Sequence, residues 1–302
     1  MNAAPALLAY AAVVGVAAPR LMTRSAWPYR APALGAAVWL ALMMSFTLTV
    51  ALAATQLAAP TEHLHAGLLG LLHACGLGTE AAGPDPTTAD RLAVAMPLAV
   101  VTAFVGSFLF HLARTTLIRA RHRDRLDLVG TRCDRLHVTV LPHSTPGAYC
   151  LPGFRSRIVV SDAAVRLLTE EQLDAVLDHE RAHVAGRHHL LLAAADGFAT
   201  VFRRLPLARH GREQTAVLLE MIADDGALRR HPREVLATAM YEMAAGRAPE
   251  GAFAVGGSTA LLRMKRILGP HRAPHPALRG SMASAAVAVP LLPLLVACPP
   301  GL

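Results

Sequence analysis

Two stretches without a charged residue, Leu34–Leu57 over 24 residues and Leu92–Leu112 over 21, limit most strongly what this chain can become. A helix needs about 20 apolar residues to cross the hydrocarbon core of a bilayer. In lipid a single segment satisfies its own backbone hydrogen bonds only as a helix. Two weaker stretches flank them: Ala3–Ala18, which ends at Pro19, and Met282–Cys298, which carries Pro290 and Pro293. The first also has a secretory reading, since Val16-Ala17-Ala18 looks like a cleavage site. No positive residue precedes it and arginines follow it, so a retained span is preferred. These segments explain why the chain is 54% hydrophobic and only 17% charged, outside the usual range of soluble domains.

Charge sets the direction of the spans. Arg20, Arg24 and Arg30 follow the first. Glu62, Glu80, Asp85 and Asp90 follow the second. Arg114, Arg119, Arg121, Arg123 and Arg125 follow the third. The alternation puts the N-terminus outside a bacterial plasma membrane, the first loop inside, the loop 60–90 outside, and the chain from Arg114 to about Gly280 in the cytoplasm. The expected organisation is three N-terminal spans within 1–118 (about 3–18, 34–57 and 92–112), a cytoplasmic domain over 119–280 and a last span within 281–302. The net charge of +8 comes almost wholly from arginine, Lys265 being the sole lysine. No basic stripe with interleaved aromatics accompanies it, which argues against direct nucleic-acid binding. Cys75, Cys133, Cys150 and Cys298 form no CxxC, which argues against a zinc ribbon or a disulfide framework. His63, His65, His73 and Cys75 in the outer loop lack a carboxylate or paired cysteine to complete a metal site. An interfacial amphipathic segment is the better reading there.

The cytoplasmic stretch reads as strands followed by helices. Arg135–Pro142 alternates; Gly147–Gly153 and Ser156–Asp162 are short apolar runs bounded by Gly, Pro and Asp. Thr169-Glu-Glu-Gln172 is a capping box that opens a helix through Leu173, Val176, Leu177, His179, Glu180 and His183. Further helices are predicted from about Thr215 to Leu228 and from about Pro232 to Ala245. This order predicts an α+β or mainly-α domain.

His179 and His183 stand four residues apart, so a helix presents both imidazoles on one face. With Glu180 between them this is HExxH, in which two histidines hold zinc and the glutamate deprotonates water. A catalytic zinc needs a third protein ligand and one open position. His189 is one candidate, because His179–His189 fits HExxHxxGxxH formally, with a break expected at Gly186. Glu220 is the other, with Asp224 one turn on and able to hydrogen-bond a ligand histidine. The residues after Gly186 read as continuing helix, which would leave His189 about 15 Å from His179. Glu220 is therefore preferred, and His188 and His189 become a polar or juxtamembrane pair. Met221 sits inside a helical pattern and reads as core.

The runs AYCLPG, RIVVSDAAVRLLTEEQLDAVLDHERAHVAGRHH and EMIADDGAL together resemble the BlaR/MecR family of membrane metallopeptidases. More distantly they resemble the HtpX and CAAX-prenyl-protease family. The resemblance covers about Arg114 to Gly280. It implies one zinc ion per chain held by His179, His183 and Glu220, Glu180 as catalytic base, Asp224 in support, and a cytoplasmic active site. The implied fold is a multi-pass α-helical membrane protein with a cytoplasmic, mainly-α (α+β), zincin-like metallopeptidase domain. BlaR/MecR sensors carry a penicillin-binding domain outside the cell after the last span. This sequence ends at Leu302 without an S-x-x-K run in such a domain, so β-lactam sensing by this polypeptide is not expected.

Ile158, Val159 and Val160 are the substrate-binding candidates, as an edge strand on which an extended peptide pairs. The alternative is that they are core. Tyr241, Arg181 and neighbouring arginines are candidates for stabilising an oxyanion. Three functions follow: a zinc endopeptidase that cleaves a cytoplasmic regulator such as a BlaI-type repressor; a quality-control protease of HtpX type acting on membrane proteins; and a non-catalytic membrane scaffold or receptor. Iron or manganese remains open beside zinc.

Overall fold

The computed structural model describes residues 3–58, 88–153, 156–246, 257–270 and 276–297. Most of the expected outer loop, including His63, His65, His73 and Cys75, lies outside the described residues.

Among the described residues, four helices are long and apolar enough to cross a membrane. Helix α1 (Ala4–Arg24) contains a π-helical turn at Val13–Ala17 just before Pro19. The widened turn makes room for the proline ring, which would collide with the carbonyl four residues back. After one turn at Trp27–Arg30, α2 (Pro32–Ala58) starts on a proline, whose missing N–H costs nothing at a helix start. Helix α3 (Thr88–Val129) runs 42 residues, or about 63 Å. It passes Leu112 and the expected domain boundary at 118 without a break, so the third apolar segment and the arginine-rich stretch share one rod.

A four-stranded sheet follows: β1 (Thr131–Cys133), β2 (Val138–Leu141), β3 (Ala148–Leu151) and β4 (Arg157–Ser161), in the order β1-β2-β4-β3. Strand β1, which the sequence reading lacked, pairs antiparallel with β2 across a turn in which His137 takes φ 53°. Strand β4 pairs parallel with β2 and antiparallel with β3. The expectation of β4 as a peptide-binding edge is therefore wrong. Both its sides carry sheet hydrogen bonds, and Val159 and Val160 are fully buried on opposite faces. Ile158 is half-buried against the same core as Val160. A continuous apolar run of this kind is the mark of an interior strand. Among the described residues the sheet edges are β1 and β3, and β3 is the one that packs against α5.

Helices complete the fold: α4 (Asp162–Leu167), α5 (Glu170–Ala185), α6 (His188–Val201), α7 (Pro206–Ala227), α8 (Arg233–Ala245), α9 (Gly257–Leu268) and α10 (Pro276–Ala297). The capping box of α5 is present in full: Thr169 accepts from the Gln172 N–H and Gln172 accepts from the Thr169 N–H. Between α5 and α6 the helix does break, contrary to expectation. Arg187 adopts a left-handed conformation, φ 48°, and α6 leaves in a new direction.

The largest core unites the apolar segments with the later helices. Trp39, Leu42, Met43 and Phe46 of α2 pack with Phe198 of α6 and with Leu207, Leu218 and Met221 of α7. Phe46 meets Phe198 and Phe202 edge to face. A second core joins Val138 and Val160 of the sheet to Leu173, Val176 and Leu177 of α5 and Met243 of α8.

Candidate metal centre

Helix α5 places its apolar residues, Leu173, Val176 and Leu177, against the sheet and α8. The face left over carries His179 and His183 toward α7. Helix α7 comes close enough because Gly226 faces Ala182; a Cβ at Gly226 would sit 2.6 Å from that of Ala182. This approach carries Glu220 across to the two imidazoles.

His179, His183 and Glu220 offer ligand atoms all within 4.8 Å of one another. The two Nε2 atoms are 3.2 Å apart. Glu220 Oε1 is 3.3 Å from His183 Nε2, and its Oε2 is 3.6 Å from His179 Nε2. A tetrahedral zinc with bonds of 2.0–2.1 Å spaces its ligands about 3.3 Å apart. Two imidazoles and one carboxylate at this spacing fit a zinc ion with one position left open. His189 is not part of the group.

The far side of each histidine is also held. Asp224, fully buried, lies 3.1 Å from His179 Nδ1. His188 Nδ1 lies 2.8 Å from His183 Nδ1. His188 is thus buried against the site, contrary to the sequence expectation of a polar or juxtamembrane residue. Gly186 is what admits it, since a Cβ there would fall 2.5 Å from His188 Nε2. His189 is half-buried, and its Nδ1 has no partner among the described residues.

Arg263 of α9 escaped the sequence reading. Its Nη1 donates to Glu220 Oε2 at 2.7 Å, and its Nε and Nη2 clasp Asp224 at 2.8 and 2.6 Å. It lies 43 positions beyond Glu220 and 39 beyond Asp224 along the chain. Arg181 turns away to Asp178 and to the Leu136 carbonyl. Tyr241 is exposed and does not line the site. Neither of the two named oxyanion candidates is brought to the metal centre.

The centre is electrostatically prepared for a cation. Burial opposes charge on the Asp224 carboxyl, but Arg263 and His179 outweigh it and hold its pKa low. Burial likewise opposes charge on Glu220, and the two histidines with Arg263 hold it well below the carboxylate range. For His179 burial opposes the imidazolium, yet Asp224 and Glu220 raise its pKa to about 9. In each case the opposite-charge partner outweighs burial and favours the charged form.

Glu180 opens with His179, Glu220 and Arg263 on a cavity of about 370 Å³, walled by Ala148 of β3, Val176, Leu236, Met240 and Met243. An apolar wall with few polar groups is the form of a ligand-binding cleft. Burial first, then the charge of Glu180, pushes the thiol of Cys150 on β3 up to about 12.

Residues 114–251 match the family model described as Peptidase family M48. No curated protein and no solved structure matches the chain.

Proposed function

Because residues 114–251 make this chain a member of peptidase family M48, the family of BlaR-, HtpX- and CAAX-protease-type membrane zinc metallopeptidases, we propose that it is a membrane-embedded zinc endopeptidase. The observation that carries the reading is the convergence of His179, His183 and Glu220 beside Glu180 in one cavity. His179, His183 and Glu220 hold the ion, Asp224 orients His179, and Arg263 steadies Glu220. Zinc held there supplies Lewis acidity, polarising a peptide carbonyl and easing deprotonation of water. Glu180 takes the proton from the attacking water and returns it to the departing amine.

The substrate pairs with β3, whose outer edge meets no other strand among the described residues. The Ser161 N–H donates to the Gly147 carbonyl at 2.8 Å, which fixes the phase of the β3–β4 ladder. Residues opposite in an antiparallel pair alternate between bonded and non-bonded. The main-chain groups of Ala148 and Cys150 therefore point away from β4, and Ala148 lines the cavity. An extended peptide laid there brings its carbonyl to Glu180.

The catalytic side faces the cytoplasm on the arginine distribution, and the substrate is a cytoplasmic or membrane-associated protein. The favoured role is regulatory cleavage of a BlaI-type repressor, with HtpX-type quality control as the alternative. Purified chain in detergent tests the chemistry. Wild type is expected to hold one zinc and cut peptides. Glu180→Gln is expected to keep zinc and lose about 10²–10⁴ in rate. His179→Ala and Glu220→Ala are expected to lose the metal. Zinc retained by Glu220→Ala but lost by His189→Ala would overturn the ligand set. Adding a purified BlaI-type repressor or a misfolded membrane protein then separates the two roles by which one is cut. An unchanged cellular phenotype in Glu180→Gln would favour the scaffold.

A further inference from the structure

A second cavity, of about 290 Å³, opens where the apolar helices begin. It is lined by the first turn of α2 (Ala31, Pro32, Ala33, Leu34), by Ile222 and Asp225 of α7, and by Arg30, Arg229, Arg266 and Arg279. The candidate spans start at Pro32 and Arg279, so both begin at its rim. Four arginines face one aspartate. Asp225 spends both oxygens on Arg266, at 2.8 Å each, and Arg266 also donates to the Tyr29 carbonyl at 2.7 Å. Among the described residues Arg30, Arg229 and Arg279 have no ion pair. The cavity thus keeps a positive excess after its own pair is formed. It stands at the end of a helix whose first turn carries no acidic residue.

From this we infer a binding site for the phosphate of an anionic phospholipid headgroup, of phosphatidylglycerol or cardiolipin chemistry. Arginine forks match phosphate oxygens in pairs. The open N–H groups of a 27-residue helix start favour negative charge. Basic pockets between spans at the anionic leaflet take such headgroups. A soluble anion has the same charge, but the position at the mouths of two spans selects one that arrives through the leaflet. Arg266 ties the cavity to the peptidase core. One turn earlier on α9, Arg263 holds Glu220 and Asp224. A bound headgroup therefore stabilises α9 against α7, the helix that supplies Glu220. The inference rests on the membrane reading of the chain but not on its catalytic activity.

The test uses the full chain in nanodiscs of phosphatidylcholine alone or mixed with phosphatidylglycerol, with native mass spectrometry to count retained lipid and thermal unfolding to read stability. Wild type is expected to retain phosphatidylglycerol and to unfold at a higher temperature with it present. The double variant Arg229→Gln, Arg279→Gln is expected to lose that retention at least about tenfold and to lose the temperature shift. Arg20→Gln, Arg24→Gln removes two arginines of the same loop region outside the cavity and is expected to retain the lipid. Equal loss in both double variants would mean a diffuse surface charge and would overturn the site. Inorganic phosphate added to phosphatidylcholine discs is expected to give no shift; a full shift there would overturn the lipid source. Zinc measured in the same samples separates the two proposals: lipid retained without zinc sinks the peptidase reading alone, and zinc without lipid preference sinks this one alone.

Discussion

His188 decides how His183 meets an ion. For Nε2 of His183 to face the metal, its Nδ1 must carry the hydrogen and donate it. The acceptor at 2.8 Å is His188 Nδ1. Burial first, then the charge of His183, lowers the pKa of His188 to about 4, so near neutral pH it is an uncharged acceptor. His188→Ala is expected to weaken zinc binding about 10–100-fold, as read by chelator competition, while leaving the helices folded. Asp178 works differently. It is buried beneath Arg181, Arg230 and His231, joining α5 to the turn after α7. Burial opposes its charge, but these partners win and its pKa lies below the ordinary value. A depressed carboxyl adds stability above its unfolded pKa and loses it as pH falls through the folded value. Asp178→Asn is expected to cost about 1–2 kcal/mol at neutral pH and nothing in strong acid, measured by denaturant unfolding across pH. Although His188 was misread, the grouping of His179, Glu180, His183, Glu220 and Asp224 was legible at this scale, because the i to i+4 spacing within each helix puts each pair on one face. Arg263 was not. One more arginine in an arginine-rich chain, on a helix far along the sequence, carries no local mark of its partners.

At the scale of elements, the sequence located β2, β3 and β4 but misassigned which of them is an edge. RIVV is a continuous apolar run, and pattern alone does not say whether its second side meets another strand or a peptide. Only the parallel pairing of β4 with β2, a contact between distant segments, closes that side. The break between α5 and α6 was hidden for a related reason. The left-handed residue is Arg187, without the Gly or Asn that usually announces such a turn. The glycine beside it serves the close approach of His188 instead. The edge assignment makes a direct prediction. Ala148→Pro removes an N–H that points away from the β3–β4 ladder, so the sheet is expected to survive. Peptide pairing loses a hydrogen bond, and kcat/KM is expected to fall about 3–10-fold, mainly through KM. The same proline at Tyr149, opposite Val159 within the ladder, is expected to lower the unfolding temperature instead. If Ala148→Pro leaves kcat/KM intact, the substrate does not lie along β3.

Over the whole molecule, the lengths of the apolar runs foretold the four long apolar helices found among the described residues. What they left invisible is that these apolar helices and the peptidase region share one core. An alanine or leucine facing lipid and one facing a protein helix look alike in sequence, because both surroundings are apolar. In the structure Trp39 is fully buried, in one cluster with Leu218 and Met221 of α7 and Phe198 of α6. Leu218 lies two residues before Glu220 and Met221 one after it. The wall behind Glu220 is therefore built in part from a helix long and apolar enough to cross a membrane. Boundaries at 118 and 281 cut through this core as well as through α3 and α10. A fragment of residues 119–280 would expose Phe198, Leu218 and Met221 and lose the surface that fixes the rotation of α7. It is expected to bind zinc far more weakly than the full chain in detergent, by equilibrium dialysis, and to aggregate. Trp39→Ala in the full chain gives the graded form of the same effect. Loss of about 3–5 kcal/mol of packing is expected to lower the unfolding temperature, and zinc affinity should fall with it although no ligand is touched. A fragment that holds zinc as tightly as the whole chain would show that α5 and α7 set the metal site alone, with the spans serving only as an anchor.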